Sequence, residues 1–155
     1  SRSNAADMYT VSARAHYDSA HYLEGYEGKC SRVPGHHYVV EAAISVLELG
    51  RHGFAFDFVD LKRELRALAD ELDHHLLNDL PQFAGTSTSA EVQAKYFHDR
   101  LRERLPPLQA EGLAWVRIWE TPTSWAQYGP VPGWAPPLGG LDGSDVGSDA
   151  GAPDA

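Results

Sequence analysis

Along residues 9–17, Tyr9, Val11, Ala13, Ala15 and Tyr17 alternate with Thr10, Ser12, Arg14 and His16, the period-two pattern of a strand that buries one face. His21 shares the parity of Tyr17 and turns inward if the extended chain continues, whereas His16 falls on the solvated face. Residues 39–49 supply a second strand through Val39, Val40, Ile44 and Val46. Gly50-Arg51-His52-Gly53 reads as a turn into a short extended run, Phe54-Ala55-Phe56-Asp57-Phe58. The period then changes. Leu61, Leu65, Leu68, Leu72 and Leu76 recur at three- and four-residue spacing, the apolar stripe of an amphipathic helix that Asp57 or Asp60 can cap. Pro81 and Gly85 separate it from a second helix, which opens on the capping box Thr88-Ser89-Ala90-Glu91, runs through Val92, Tyr96, Leu101 and Leu105, and stops at Pro106-Pro107. Alternation returns over residues 113–120, and residues 125–128 add a short fourth strand. The pattern predicts an α+β domain.

Composition narrows the class. A chain of 155 residues, 43% of them hydrophobic, is one ordinary globular domain. A net charge of -9 without any Lys/Arg cluster argues against a nucleic-acid partner. The apolar runs fall well short of the roughly 18–20 residues that span a bilayer, so no membrane partner is expected. The single Cys30 allows no intrachain disulfide, which makes the cytoplasm the expected compartment. Residues 1–8 are set aside as a tag or disordered start, residues 9–129 form the domain, and residues 130–155 are a Pro/Gly/Asp-rich tail. That tail is too poor in apolar residues to offset its own ordering entropy, so a neighbouring subunit is the expected cause of any order in it.

The candidate chemistry centres on Cys30-Ser31-Arg32-Val33-Pro34-Gly35-His36-His37-Tyr38, where a thiol meets two imidazoles around a Pro-Gly turn. A lone cysteine is ordinarily a small buried apolar residue, and adjacent histidines an ordinary polar strand edge. The flanks change that reading. Tyr17-Asp18-Ser19-Ala20-His21 lies upstream, Leu72-Asp73-His74-His75-Leu76-Leu77-Asn78 downstream, and Glu120-Thr121 follows the third strand. These four separated motifs, in this order, resemble the 6-pyruvoyl-tetrahydropterin synthase family, which includes the bacterial 6-carboxytetrahydropterin synthases.

The resemblance implies the tunnelling fold: a four-stranded antiparallel sheet with two helices on one face, closed into a barrel between subunits, commonly as a hexamer with its sites at subunit interfaces. It also implies a zinc ion held by three histidines. His21 and His36 match two of them, but the third position is Pro34, which has no donor atom. His37 cannot stand in, because neighbouring residues on a strand face opposite ways. The expected cofactor is therefore none, or weakly bound zinc. By the same resemblance Cys30 is the general base, Asp73 and His74 relay or donate the proton, Glu120 and Thr121 receive the amino-pyrimidine edge of a pterin, and Ser89 helps to hold it. Without the resemblance, Asp73-His74-His75 reads as a solvated helix end and Glu120 as a strand-end charge.

Three functions follow as expectations. The first is a homologue that binds a pterin-like or purine-like small molecule but lacks the standard triphosphate elimination. The second is an active zinc-dependent 6-pyruvoyl- or 6-carboxy-tetrahydropterin synthase acting on 7,8-dihydroneopterin triphosphate. The third is a non-catalytic oligomeric binding module.

Overall fold

The computed structural model describes residues 7–23 and 35–130. In chain order come β1 (Tyr9–Ala20), β2 (Gly35–Val46), α1 (Phe58–Leu72), α2 (Ala90–Arg104), α3 (Pro107–Glu111), β3 (Leu113–Thr121) and β4 (Ser124–Tyr128). Short 3-10 turns lie at Arg51–Gly53, Leu77–Asp79 and Pro81–Phe83. The four strands make one antiparallel sheet in the order β1-β2-β3-β4. The expected α+β architecture is the observed one. Cys30 and Pro34, the first six residues and the tail from residue 131 lie outside the described residues.

The alternation read from the sequence decides which side chains meet the helices. Ala13, Ala15 and Tyr17 of β1, Tyr38, Val40, Ala42 and Ile44 of β2, and Val116 and Ile118 of β3 are buried in one core. Leu61, Leu65, Leu68 and Leu72 of α1 and Ala94, Phe97 and Leu101 of α2 pack against them. Each such leucine removed from water contributes about 1.5–3 kcal/mol. The opposite face of the sheet is mixed: Val39, Ala43 and Trp119 are buried there, and among them Glu41 is buried too, accepts a hydrogen bond from Trp119 Nε1 at 3.0 Å and lies 3.5 Å from Arg14. The Arg117 guanidinium sits between the Trp115 and Trp125 rings, 3.9 and 4.4 Å from their centroids.

Several boundaries differ from the sequence expectation, each for a local reason. The leucine stripe predicts a helix through Leu76, but α1 ends at Leu72 because His74 takes a left-handed conformation, φ 58°. Its N–H is donated to the Asp18 carbonyl at 2.6 Å, which draws the chain onto the edge of β1, where Ala20 bridges Leu76. The N-cap of α2 is Ser89 and not Thr88, with Ser89 Oγ accepting from the Val92 N–H at 3.3 Å. The buried face of α2 is carried by Gln93, Ala94, Phe97, His98 and Leu101, one step round from the Val92 and Tyr96 stripe. Strand β2 begins at Gly35 and ends at Val46, and the run 54–58 forms no strand but leads directly into α1, capped by Asp57. Pro106-Pro107 stops α2 as expected, yet Pro107 also starts α3.

Candidate functional site

Three side chains of the helix-covered face converge at one end of the sheet, where β1 and β3 finish and β2 begins. Continuing the buried parity of Ala15, Tyr17 and Ser19 brings His21 inward with 5% exposure. His36 stands opposite Ser19 on β2, and the two imidazole centroids are 5.2 Å apart. Glu120 continues the core-facing parity of Val116 and Ile118 on β3. Trp119 pairs with Trp125 of β4 and Thr121 with Ser124, so Glu120 is the extra residue of a β-bulge. Glu120 Oε1 lies 3.6 Å from His21 Nε2 and 3.9 Å from His36 Nε2. The ligand atoms of all three residues fall within 4.8 Å of one another.

The His21 ring is fixed from behind. Its Nδ1 is 2.9 Å from the Thr88 carbonyl oxygen, and a carbonyl only accepts, so Nδ1 carries a proton and donates it there while Nε2 faces Glu120. Gln93 Nε2 donates to the same carbonyl at 2.9 Å, and Tyr17 donates its hydroxyl to Gln93 Oε1 at 2.6 Å. Burial pushes the Tyr17 phenol well above 10, which keeps it a donor. Asn78 clamps the next residue, accepting from the Tyr22 N–H at 2.9 Å and donating to its carbonyl at 3.0 Å. Thr88 Oγ1 reaches that carbonyl too, at 3.2 Å. Sequence reasoning missed Thr88 and Gln93 as positioning residues. The available signal was a glutamine in helical register with Phe97 and Leu101, since a polar side chain on a buried face needs partners.

Glu120 is held below the ordinary glutamate range. The His21 imidazole is the main cause and His36 adds to it, against the opposing effect of partial burial. At 3.6 Å the His21 contact is longer than an ordinary hydrogen bond, so we assign its effect to proximity. The carboxylate is therefore ionised at neutral pH.

Residues 10–130 match the family model described as 6-pyruvoyl tetrahydropterin synthase. The chain belongs to this family. It is 34% identical over 134 residues to the 6-carboxy-5,6,7,8-tetrahydropterin synthase of Bacillus subtilis, covering 83% of this chain and 86% of that one. It is 29% identical over 143 residues to the Haemophilus influenzae enzyme of the same name, covering 78% of this chain and 99% of that one. The structure of Caenorhabditis elegans 6-pyruvoyl tetrahydropterin synthase superposes with a TM-score of 0.71 at 25% identity, over 81% of this chain and 98% of that one. The tetrahydropterin synthase fold expected from the sequence is thus the fold of the chain.

The remaining residues singled out for this family member fall in two places. Asp73 and His74 follow α1, with Asp73 Oδ1 accepting from the Asp18 N–H at 2.8 Å and Oδ2 lying 2.8 Å from His74 Nδ1. His74 lines an open hollow of about 540 Å³ together with Asp18, His36 and His37. Across His36 lies a second hollow of about 340 Å³, lined by Trp119, Glu120 and Thr121. His36 therefore stands between the Asp73-His74 pair and Glu120. His37 turns away from Glu120, its Nδ1 2.8 Å from Asp18 Oδ1, as strand parity requires. Thr121 is exposed and its Oγ1 accepts from the Thr123 N–H at 3.2 Å. Ser89 is occupied with capping α2.

Zinc, which the family resemblance implies, can be tested against these donors. The expectation that Pro34 stands in place of the third imidazole falls outside the described residues. Among the described residues, the donors grouped with His21 and His36 are completed by a carboxylate. No helix among the described residues is long and apolar enough to cross a membrane.

Proposed function

We propose that this tetrahydropterin synthase homologue binds a pterin through Glu120 and that its zinc-dependent triphosphate elimination is impaired. The observation that carries the reading is an ionised carboxylate, at the unpaired position of a bulge and facing a cleft shared with two imidazoles. An ionised carboxylate accepts two parallel N–H bonds, the pattern that the ring N–H and exocyclic amine of a pterin present. Thr121 at the lip and Ser89 at the start of α2 are the further polar groups assigned to the ligand.

Pro34 carries the second half of the proposal. Standard chemistry in the family, as the resemblance implies it, uses zinc as a Lewis acid, an effect worth several kcal/mol and hence about a thousandfold or more in rate. Cys30 as base and Asp73-His74 as proton relay remain assigned to the chain's own chemistry. In this reading His74 exchanges a proton at Nε2 while Asp73 holds its ring through Nδ1. The chain acts as a homo-oligomer, a hexamer with sites at subunit interfaces, in the cytoplasm, where the Cys30 thiol stays reduced.

Binding of neopterin, followed by its own fluorescence, tests the first half. Wild type should bind, and Glu120→Gln should weaken binding at least tenfold; equal binding by both would end the proposal. Turnover of 7,8-dihydroneopterin triphosphate with added zinc tests the second half. A rate equal to that of the Bacillus subtilis relative would favour the alternative, an active synthase, which the Asp73-His74 pair facing the hollow beside His36 supports.

A further inference from the structure

We infer that His21, His36 and Glu120 form a two-histidine, one-carboxylate site for a divalent transition ion, zinc in the first place, with the carboxylate as the third protein donor. Nδ1 of His21 is committed to the Thr88 carbonyl, which leaves Nε2 as the nitrogen open to an ion, 3.6 Å from Glu120 Oε1. His36 Nε2 lies 3.9 Å from the same oxygen. Bonds of about 2.0–2.2 Å to a tetrahedral ion place its donors about 3.4 Å apart, and the two observed gaps exceed this by only a few tenths of an ångström. Two imidazoles and one glutamate are also a known zinc donor set that leaves an open fourth position. The Thr88 carbonyl behind His21 supplies the outer support that such ligands use to fix tautomer and orientation.

A consequence joins this site to the proposed function and rests on that reading. Glu120 cannot give Oε1 to an ion and both oxygens to a pterin at once. Metal and pterin then weaken each other's binding by the same factor, as reciprocity requires. Elimination chemistry needs both together, so a shared carboxylate accounts for impaired turnover without loss of either partner alone.

The test is zinc titration of the full chain against a chromogenic chelator, supported by metal analysis and by the visible absorption of the cobalt(II) form. Wild type should take up one ion per chain, and Glu120→Ala and Glu120→Gln should each weaken zinc by about a hundredfold or more with the circular dichroism spectrum unchanged. Removing a direct ligand exceeds the 10–100-fold effect of removing its support. Two variants serve because one replacement can disturb the bulge. Unchanged zinc affinity in a folded variant overturns the assignment, as does a wild type that binds no zinc. Neopterin is then titrated with chelator and with saturating zinc: a tenfold or greater weakening by zinc supports the shared carboxylate, and no change overturns it. Failure of neopterin to bind even with chelator would reject the pterin reading, while the zinc titration alone still decides the metal site.

Discussion

Gln93 and His21 meet on one atom: Gln93 Nε2 and His21 Nδ1 each lie 2.9 Å from the Thr88 carbonyl oxygen. Tyr17 holds the glutamine from the far side. Tyr17→Phe leaves the buried Gln93 Oε1 without its donor and should cost about 1–3 kcal/mol, read as a lower urea midpoint at unchanged slope. Gln93→Leu should in addition weaken zinc by about tenfold or more, through a less well-fixed His21 ring. A Gln93→Leu protein with unaltered zinc affinity would show that Thr88 alone suffices.

Asp73 gives a pH dependence. Its carboxyl is held below the usual aspartate value of 3.8, first by the Asp18 N–H and then by His74, with desolvation opposing. Because the folded value is depressed, the stabilisation is fully present above 3.8 and is lost as pH falls through the folded value. A carbon-13 titration should find the Asp73 carboxyl still ionised where ordinary aspartates have protonated. Asp73→Asn should flatten the acid limb of the stability curve; an unchanged limb would contradict the assignment.

Gly112 lies where the chain enters β3, and its carbonyl accepts from the Ser45 N–H at 2.8 Å. A Cβ built there would collide with the Ser45 carbonyl oxygen. Since this neighbour is backbone, it cannot swing aside, and Gly112→Ala should lower stability by about 1–3 kcal/mol. Thermal unfolding of that variant is the check.

Pro34→His places an imidazole where the proposed reading expects the missing third donor. If Glu120 is the third metal donor in the native chain, the added imidazole should make it dispensable: Pro34→His combined with Glu120→Ala should bind zinc far better than Glu120→Ala alone. Equal affinities in the two proteins would separate residue 34 from the metal altogether.

Much of this arrangement was legible in the alternation of the strands. The parity of Tyr17 places His21 inside, and the opposite parities of His36 and His37 separate them, as observed. Other features depend on partners distant in sequence. Thr88 has the spacing of a capping residue, but the cap falls to Ser89 once Thr88 is buried against His21 and Tyr22. Leu76 continues the leucine stripe, yet the left-handed turn at His74 takes it off the helix. The parity of Val116 and Ile118 turns Glu120 inward, but the bulge there and the register that brings its carboxylate to the imidazoles are invisible without the pairing of β2 and β4.

That same irregularity makes the β3–β4 hairpin sensitive to how many residues it contains as well as to which ones. Trp119 and Glu120 occupy opposite sides of β3, one indole over Glu41 and one carboxylate at the imidazoles. Shortening the tip around Pro122 and Thr123 by a single residue would let the ladder close in regular order, pairing Glu120 with Ser124 and removing the unpaired place from which its carboxylate now meets the imidazoles. Insertions and deletions here are thus changes of chemistry, not merely of loop length.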